Sequence, residues 1–91
     1  MNEEAAYKKL IVWQKAGEKK RRMQKIEKTE AEIHELETAI QDIEEQFNNP
    51  ENQTDHEKLG KLQKQLDEKE ARLEVLLEQW EELLEEDEAD E

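Results

Sequence analysis

Apolar residues recur in a 3-4 rhythm from Ile26 onward: Ile26, Thr29, Ile33, Leu36, Ile40, Ile43 and Phe47. These are the a and d positions of a heptad abcdefg with Ile26 as a, and the residues between them are mainly Glu, Lys, Gln, Thr and Ala. The pattern predicts a helix with one narrow buried stripe and a solvated remainder. It stops at Asn48-Asn49-Pro50. A residue that precedes proline avoids the α region, so Asn49 leaves the helix, and Asn48 is read as a C-terminal cap or left-handed residue.

A second stripe follows: Leu59, Leu62, Leu66, Lys69, Leu73, Leu76, Trp80 and Leu83, again at 3-4 spacing with Leu59 as a. Thr54 with Glu57 three residues on matches a capping box, and Asp55 and Glu57 suit the positive end of a helix dipole. Folded back on each other, the two stripes match in register. Phe47 meets Leu59, Ile43 meets Leu62, and the alternation runs on to Ile26 against Trp80. Glu32 and Arg72, both at g, then face each other. Matched registers and a short polar loop predict an intramolecular hairpin: an all-α, antiparallel two-stranded coiled coil with an N-terminal helical extension. The expected parts are a linker or short helix at 1–18, a hairpin at 19–86 (helix 19–48, loop 49–54, helix 55–86) and an acidic disordered tail at 87–91.

The stripe is imperfect. Thr29 and Lys69 are polar seam residues, tolerated in a solvated two-helix seam or used to fix register, and Lys69 lays its stem over Leu36. Gly60 weakens the start of the second helix. Near Trp80 the apolar stripe widens to Val75, Leu77 and Leu84, more than a two-helix seam requires. Ala6, Tyr7, Leu10, Ile11 and Trp13 form an apolar group of their own ahead of Gly17. Two readings fit it: a separate helix over 3–16 that packs on the Trp80 end or on a second chain, or one unbroken helix from residue 3 to Phe47.

Composition narrows the choice of class. Of the 91 residues, 33% are apolar and 45% charged, too polar for a globular core. One Pro and two Gly argue against both a turn-rich β fold and a disordered chain. The lack of Cys excludes disulfides and Cys-ligated metals. No apolar run approaches the roughly 18 residues that span a bilayer, so the chain reads as soluble, with no membrane partner. The net charge of −13 hides an asymmetry: residues 1–28 carry nine cations and four carboxylates, a net +5, leaving −18 for the rest.

Catalytic constellations are missing. The chain has neither Ser nor Cys, no Gly-rich phosphate loop, and two isolated His residues, His34 and His56, that read as solvent-exposed side chains. The expectation is a non-enzyme with no metal, cofactor or small-molecule substrate. The feature that points to a ligand is the basic stretch Lys19, Lys20, Arg21 and Arg22, extended by Lys25 and Lys28. Arg21, Lys25 and Lys28 share a helical face, and such a patch neutralises phosphates with release of counterions. It holds no interleaved aromatics for base stacking. The competing reading is that these charges solubilise the helix and pair with Glu85, Glu86, Asp87 and Glu88, which the register places opposite residue 19.

The run Lys20-Arg21-Arg22 leading to Ile26-Glu27 and Glu30-Ala31-Glu32-Ile33, then Phe47-Asn48-Asn49-Pro50-Glu51 and Leu76-Leu77-Glu78-Gln79-Trp80-Glu81-Glu82-Leu83, resembles the C-terminal coiled-coil domain of the ABC-F ATPases, the Uup-like group. The resemblance covers about residues 19–86. It implies a cytoplasmic protein with two ATP-binding cassettes outside this chain, residues 1–18 as linker, and nucleic-acid contact, with many relatives acting on the ribosome. The family's basic stretch maps onto Lys19, Lys20, Arg21, Arg22 and Lys25. The leading expectation is contact with RNA or DNA phosphates, ribosomal RNA foremost. The alternative is a hairpin for protein interaction or weak self-association through Trp13, Leu77, Trp80 and Leu84.

Overall fold

The computed structural model describes the backbone of residues 3–89 and the side chains of residues 16–89. Helix α1 spans Glu3–Phe47, a short 3-10 turn covers Pro50–Asn52, and helix α2 spans His56–Ala89. The two long helices lie against each other as an antiparallel hairpin. The molecule measures 79 × 17 × 14 Å and has a radius of gyration of 21.8 Å. A globular chain of this length would have about 12 Å.

The seam is where the heptads place it. Ile33, Ile43, Leu62 and Leu76 are buried, and every other a and d residue from Ile26 to Leu83 is half-buried. The residues between them are nearly all exposed. Glu32 and Arg72 face each other at 3.8 Å, as their shared g position requires. Thr29 is accommodated because its hydroxyl donates to the Lys25 carbonyl one turn back at 2.7 Å, which satisfies a polar group that would otherwise be desolvated.

Three boundary expectations are corrected. First, α1 is unbroken from Glu3 to Phe47, so the separate N-terminal helix gives way to the continuous one. Gly17 has a helical place in it, and a single glycine costs a long helix only about 1 kcal/mol. The side chain of Trp13, and any packing of it on the Trp80 end, lies outside the described residues. Second, α2 continues to Ala89, past residue 86, so residues 87–89 are helical rather than a loose tail. Residues 90 and 91 lie outside the described residues. Third, the capping box of Thr54 and Glu57 does not form. The chain leaves the 3-10 turn through a bond from the Asp55 N–H to the Asn52 carbonyl, and this turn consumes Thr54. Asp55 becomes the cap, its Oδ1 accepting the Lys58 N–H at 3.1 Å.

The loop is held by its amides. Asn49 is extended (φ −67°, ψ 125°), as a residue before proline must be, and its Oδ1 accepts the Glu51 N–H at 3.1 Å. Asn48 is not left-handed; no non-glycine residue among those described has a positive φ. The last carbonyls of α1 are satisfied instead by side chains. Asn52 donates from Nδ2 to the Gln46 carbonyl at 2.7 Å, and Gln53 donates from Nε2 to that of Phe47 at 2.8 Å. Asn52 is buried, and its Oδ1 accepts from Lys58 Nζ at 2.9 Å, tying the loop to the first turn of α2.

Candidate nucleic-acid interface

The basic stretch occupies nearly three turns of α1 opposite the last turns of α2, and the helical repeat sorts its six cations by role. Arg21 and Lys28 fall at c and Lys25 at g, so these three share one flank of the hairpin. All three are exposed. Lys19 and Lys20, at a and b, are also exposed, with Lys20 turned toward the opposite flank. Among the described residues no ion pair involves any of these five.

Arg22 differs. It falls at d, so its side chain enters the seam and is only 14% exposed. Its Nε lies 3.8 Å from Glu86 Oε2, and its Nη1 lies 3.6 Å from Asp87 Oδ1. Asp87, at a, is 28% exposed. The seam therefore continues past Ile26 and Leu83 by one more heptad step on each helix, carried by an ion pair instead of hydrophobes. The signal was present in the heptad phase, which steps back four residues from Ile26 to Arg22 and forward four from Leu83 to Asp87. It is hidden by counting apolar residues alone. The pairing expected between the basic stretch and the acidic end thus occurs at Arg22, leaving the other five cations on the surface.

The flank that carries Arg21, Lys25 and Lys28 has two shallow grooves. One, about 390 Å³, is lined by Lys25, Lys28, Glu32, Arg72, Leu76 and Glu82, among others. The second, about 230 Å³, lies between Glu18, Arg21, Arg22, Lys25, Leu83 and Glu86. Both are open clefts between two helices. The α1 wall carries Arg21, Lys25 and Lys28 together with Glu18 and Glu32, and the α2 wall carries Glu82 and Glu86 together with Arg72, so an anion would be met at the edge rather than enclosed. Gly17 lies beneath the Arg21 guanidinium, where a Cβ would stand 3.6 Å from Nη1.

The apolar residues expected to serve protein contact divide in the same way. Leu77 is exposed, while Trp80 and Leu84 are half-buried. They lie on the flank opposite the Arg21–Lys28 edge. Val75, at c, lies on the cationic side and does not join them. His34 and His56 are exposed, and no group of three or more His, Cys, Asp or Glu among the described residues could hold a metal ion. No helix among them is long and apolar enough to cross a membrane.

No curated protein and no solved structure matches the chain. The family model for the ABC transporter C-terminal domain matches residues 17–85, from the start of the basic stretch to the last turn of α2 before the Arg22 ion pair. That match spans the loop, both stripes of the seam and most of the chain. The chain belongs to the ABC transporter C-terminal domain family.

Proposed function

We propose that this hairpin is the accessory coiled coil of a cytoplasmic ABC-F ATPase of the Uup-like group, and that it contacts nucleic-acid phosphates, foremost those of ribosomal RNA. The observation that carries the reading is the line of exposed cations Arg21, Lys25 and Lys28 along one flank of α1, unpaired with carboxylates among the described residues. From Arg21 to Lys28 the helix rises about 10 Å at ~1.5 Å per residue. That line of three charges is long enough to meet more than one phosphate of a strand. Lys19 and Lys20 extend the positive field toward the start of the stretch. No aromatic side chain on this edge offers a base a stacking platform, and the binding is directed at the backbone phosphates. The acidic remainder of the hairpin is repelled, which leaves the basic end as the approach point. Any ATP hydrolysis belongs to cassettes outside this chain.

The test is a titration of the chain against ribosomes and a free RNA duplex at several salt concentrations, beside Arg21→Gln/Lys25→Gln/Lys28→Gln. Arg22 is left intact because its loss disturbs the seam. The expected result is affinity that falls steeply with salt, with the log–log slope reduced by about 2–3 in the variant. Binding indifferent to salt, or unchanged in the variant, would overturn the proposal.

A further inference from the structure

The flank opposite the cations is apolar where the hairpin needs no apolar residues. Leu77 and Leu84 on α2 and Met23 on α1 all fall at e, beside the seam. Leu77 is 37% exposed and Met23 49%. A groove of about 350 Å³ runs there between Ile33, Leu77 and Trp80, with Glu30, His34 and Glu37 at its edge. The Trp80 indole N–H donates to Glu30 Oε1 at 3.2 Å, so the ring is held across the groove by a rim carboxylate. Leu77 and Leu84 stand one heptad apart, the repeat at which one helix reads another.

The rim is acidic. Exposed Glu27, Glu30, Glu37, Glu74, Glu81 and Glu88 border this flank at e and b positions, against Lys20 as the one cation at those positions on the same stretch. A second copy laid face to face would bring two such rims together. We propose that this flank docks an amphipathic helix of a partner protein, a helix whose apolar stripe is bordered by Lys and Arg. The occupant adds a third helix to the seam, covers Leu77, Leu84 and Met23, and pairs its basic borders with the rim. This surface is separate from the cationic edge and does not depend on phosphate binding.

The probe is a synthetic helix of about three heptads with a Leu stripe, made with Lys borders, with Glu borders, and as a scrambled Lys-rich control. Trp80 fluorescence reports in a Trp13→Phe chain, and backbone amide shifts locate the site. The Lys-bordered helix is expected to shift Trp80 emission and to perturb residues 23–37 and 74–84. Leu77→Glu and Met23→Lys are both at exposed positions and keep the helical spectrum. Each is expected to weaken binding about tenfold or more. Arg21→Gln/Lys25→Gln/Lys28→Gln is expected to leave it unchanged. Equal binding of the Glu-bordered or scrambled peptide, or indifference to Leu77→Glu, would overturn the proposal. So would a concentration-dependent dimer of the chain alone that Leu77→Glu dissociates, which would make the flank an interface between copies.

Discussion

Replacing Arg22 with Met is expected to loosen the end of α2 more than it disturbs α1. Six carboxylates lie between Glu81 and Glu88, at the negative end of the helix dipole, and no cation occupies the last turn of α2. Left alone, this end should fray. Its stabilisation comes across the seam from Arg22, 3.8 Å from Glu86 and 3.6 Å from Asp87. Two unit charges at this distance attract by ~4 kcal/mol at an effective dielectric of ~20, before desolvation and side-chain ordering are subtracted. Glu86 is 64% exposed, so its share is screened and small. Asp87 is 28% exposed and Arg22 14%, which sets that pair between a surface bridge of about 0–1 kcal/mol and a buried one that costs about 3–5 kcal/mol to break. The separations exceed good hydrogen-bond length, which favours the lower half of that interval. We therefore expect Arg22→Met, which keeps the aliphatic stem in the seam, to cost about 1–2 kcal/mol.

A double-mutant cycle with Asp87→Asn separates the pair from the general charge of the acidic end. Asp87→Asn alone removes both a partner and a repulsive neighbour, so its net effect is expected near zero. The coupling between the two substitutions is expected at about 1 kcal/mol. Urea unfolding followed by circular dichroism measures the cycle, and hydrogen exchange at residues 83–89 shows where protection is lost. A coupling under about 0.3 kcal/mol, or exchange unchanged at those amides, would refute the reading that this pair closes the seam.

The loop and seam give further expectations. Asn52→Ala strands the Gln46 carbonyl and removes the acceptor of Lys58 Nζ, and should cost about 1–3 kcal/mol in urea unfolding with the m-value retained. Gly60→Ala should stabilise by about 1 kcal/mol, because a Cβ there meets nothing within 4 Å and the backbone is helical; a Tm that does not rise would contradict this. Lys69→Leu should raise the Tm by about 4–8 °C, the equivalent of about 1 kcal/mol, since a half-buried seam position opposite Leu36 and Ala39 gains apolar contact. Glu82→Gln/Glu86→Gln removes the acidic wall facing Lys25 and Lys28 and should tighten RNA binding several-fold at low salt, read in the same titration as the Gln triple variant.

The hairpin itself was legible because a two-helix seam is a one-dimensional code. Burial at Ile33, Ile43, Leu62 and Leu76 follows directly from heptad phase, and so does the meeting of Glu32 with Arg72. What was not legible has physical reasons. Asn52 reads as one more polar loop residue, yet it is buried because its side chain replaces the hydrogen bonds that the end of α1 lacks. That depends on loop geometry, which no period encodes. The capping residue shifted from Thr54 to Asp55 because both are competent caps and the preceding 3-10 turn chose between them. The helical state of 87–89 was missed because a run of like charges at a helix C-terminus is unfavourable on local grounds, and the compensating cation lies 65 residues away at Arg22.

Heptad position also decides which charges remain available. The six cations from Lys19 to Lys28 look equivalent in the chain, but a d position takes Arg22 out of the set by turning it into the seam. The c and g positions gather Arg21, Lys25 and Lys28 on one edge. The e positions place Leu77, Leu84 and Met23 on the other edge, with Glu at e and b around them. The rod is thus cationic along one edge and apolar with an acidic rim along the other, so the two proposed contacts would not compete for the same residues. The two surfaces share only Arg22 and the seam beneath them. A substitution on one edge should therefore leave the other intact, whereas loss of Arg22 should weaken both by loosening the end of α2 on which both are built.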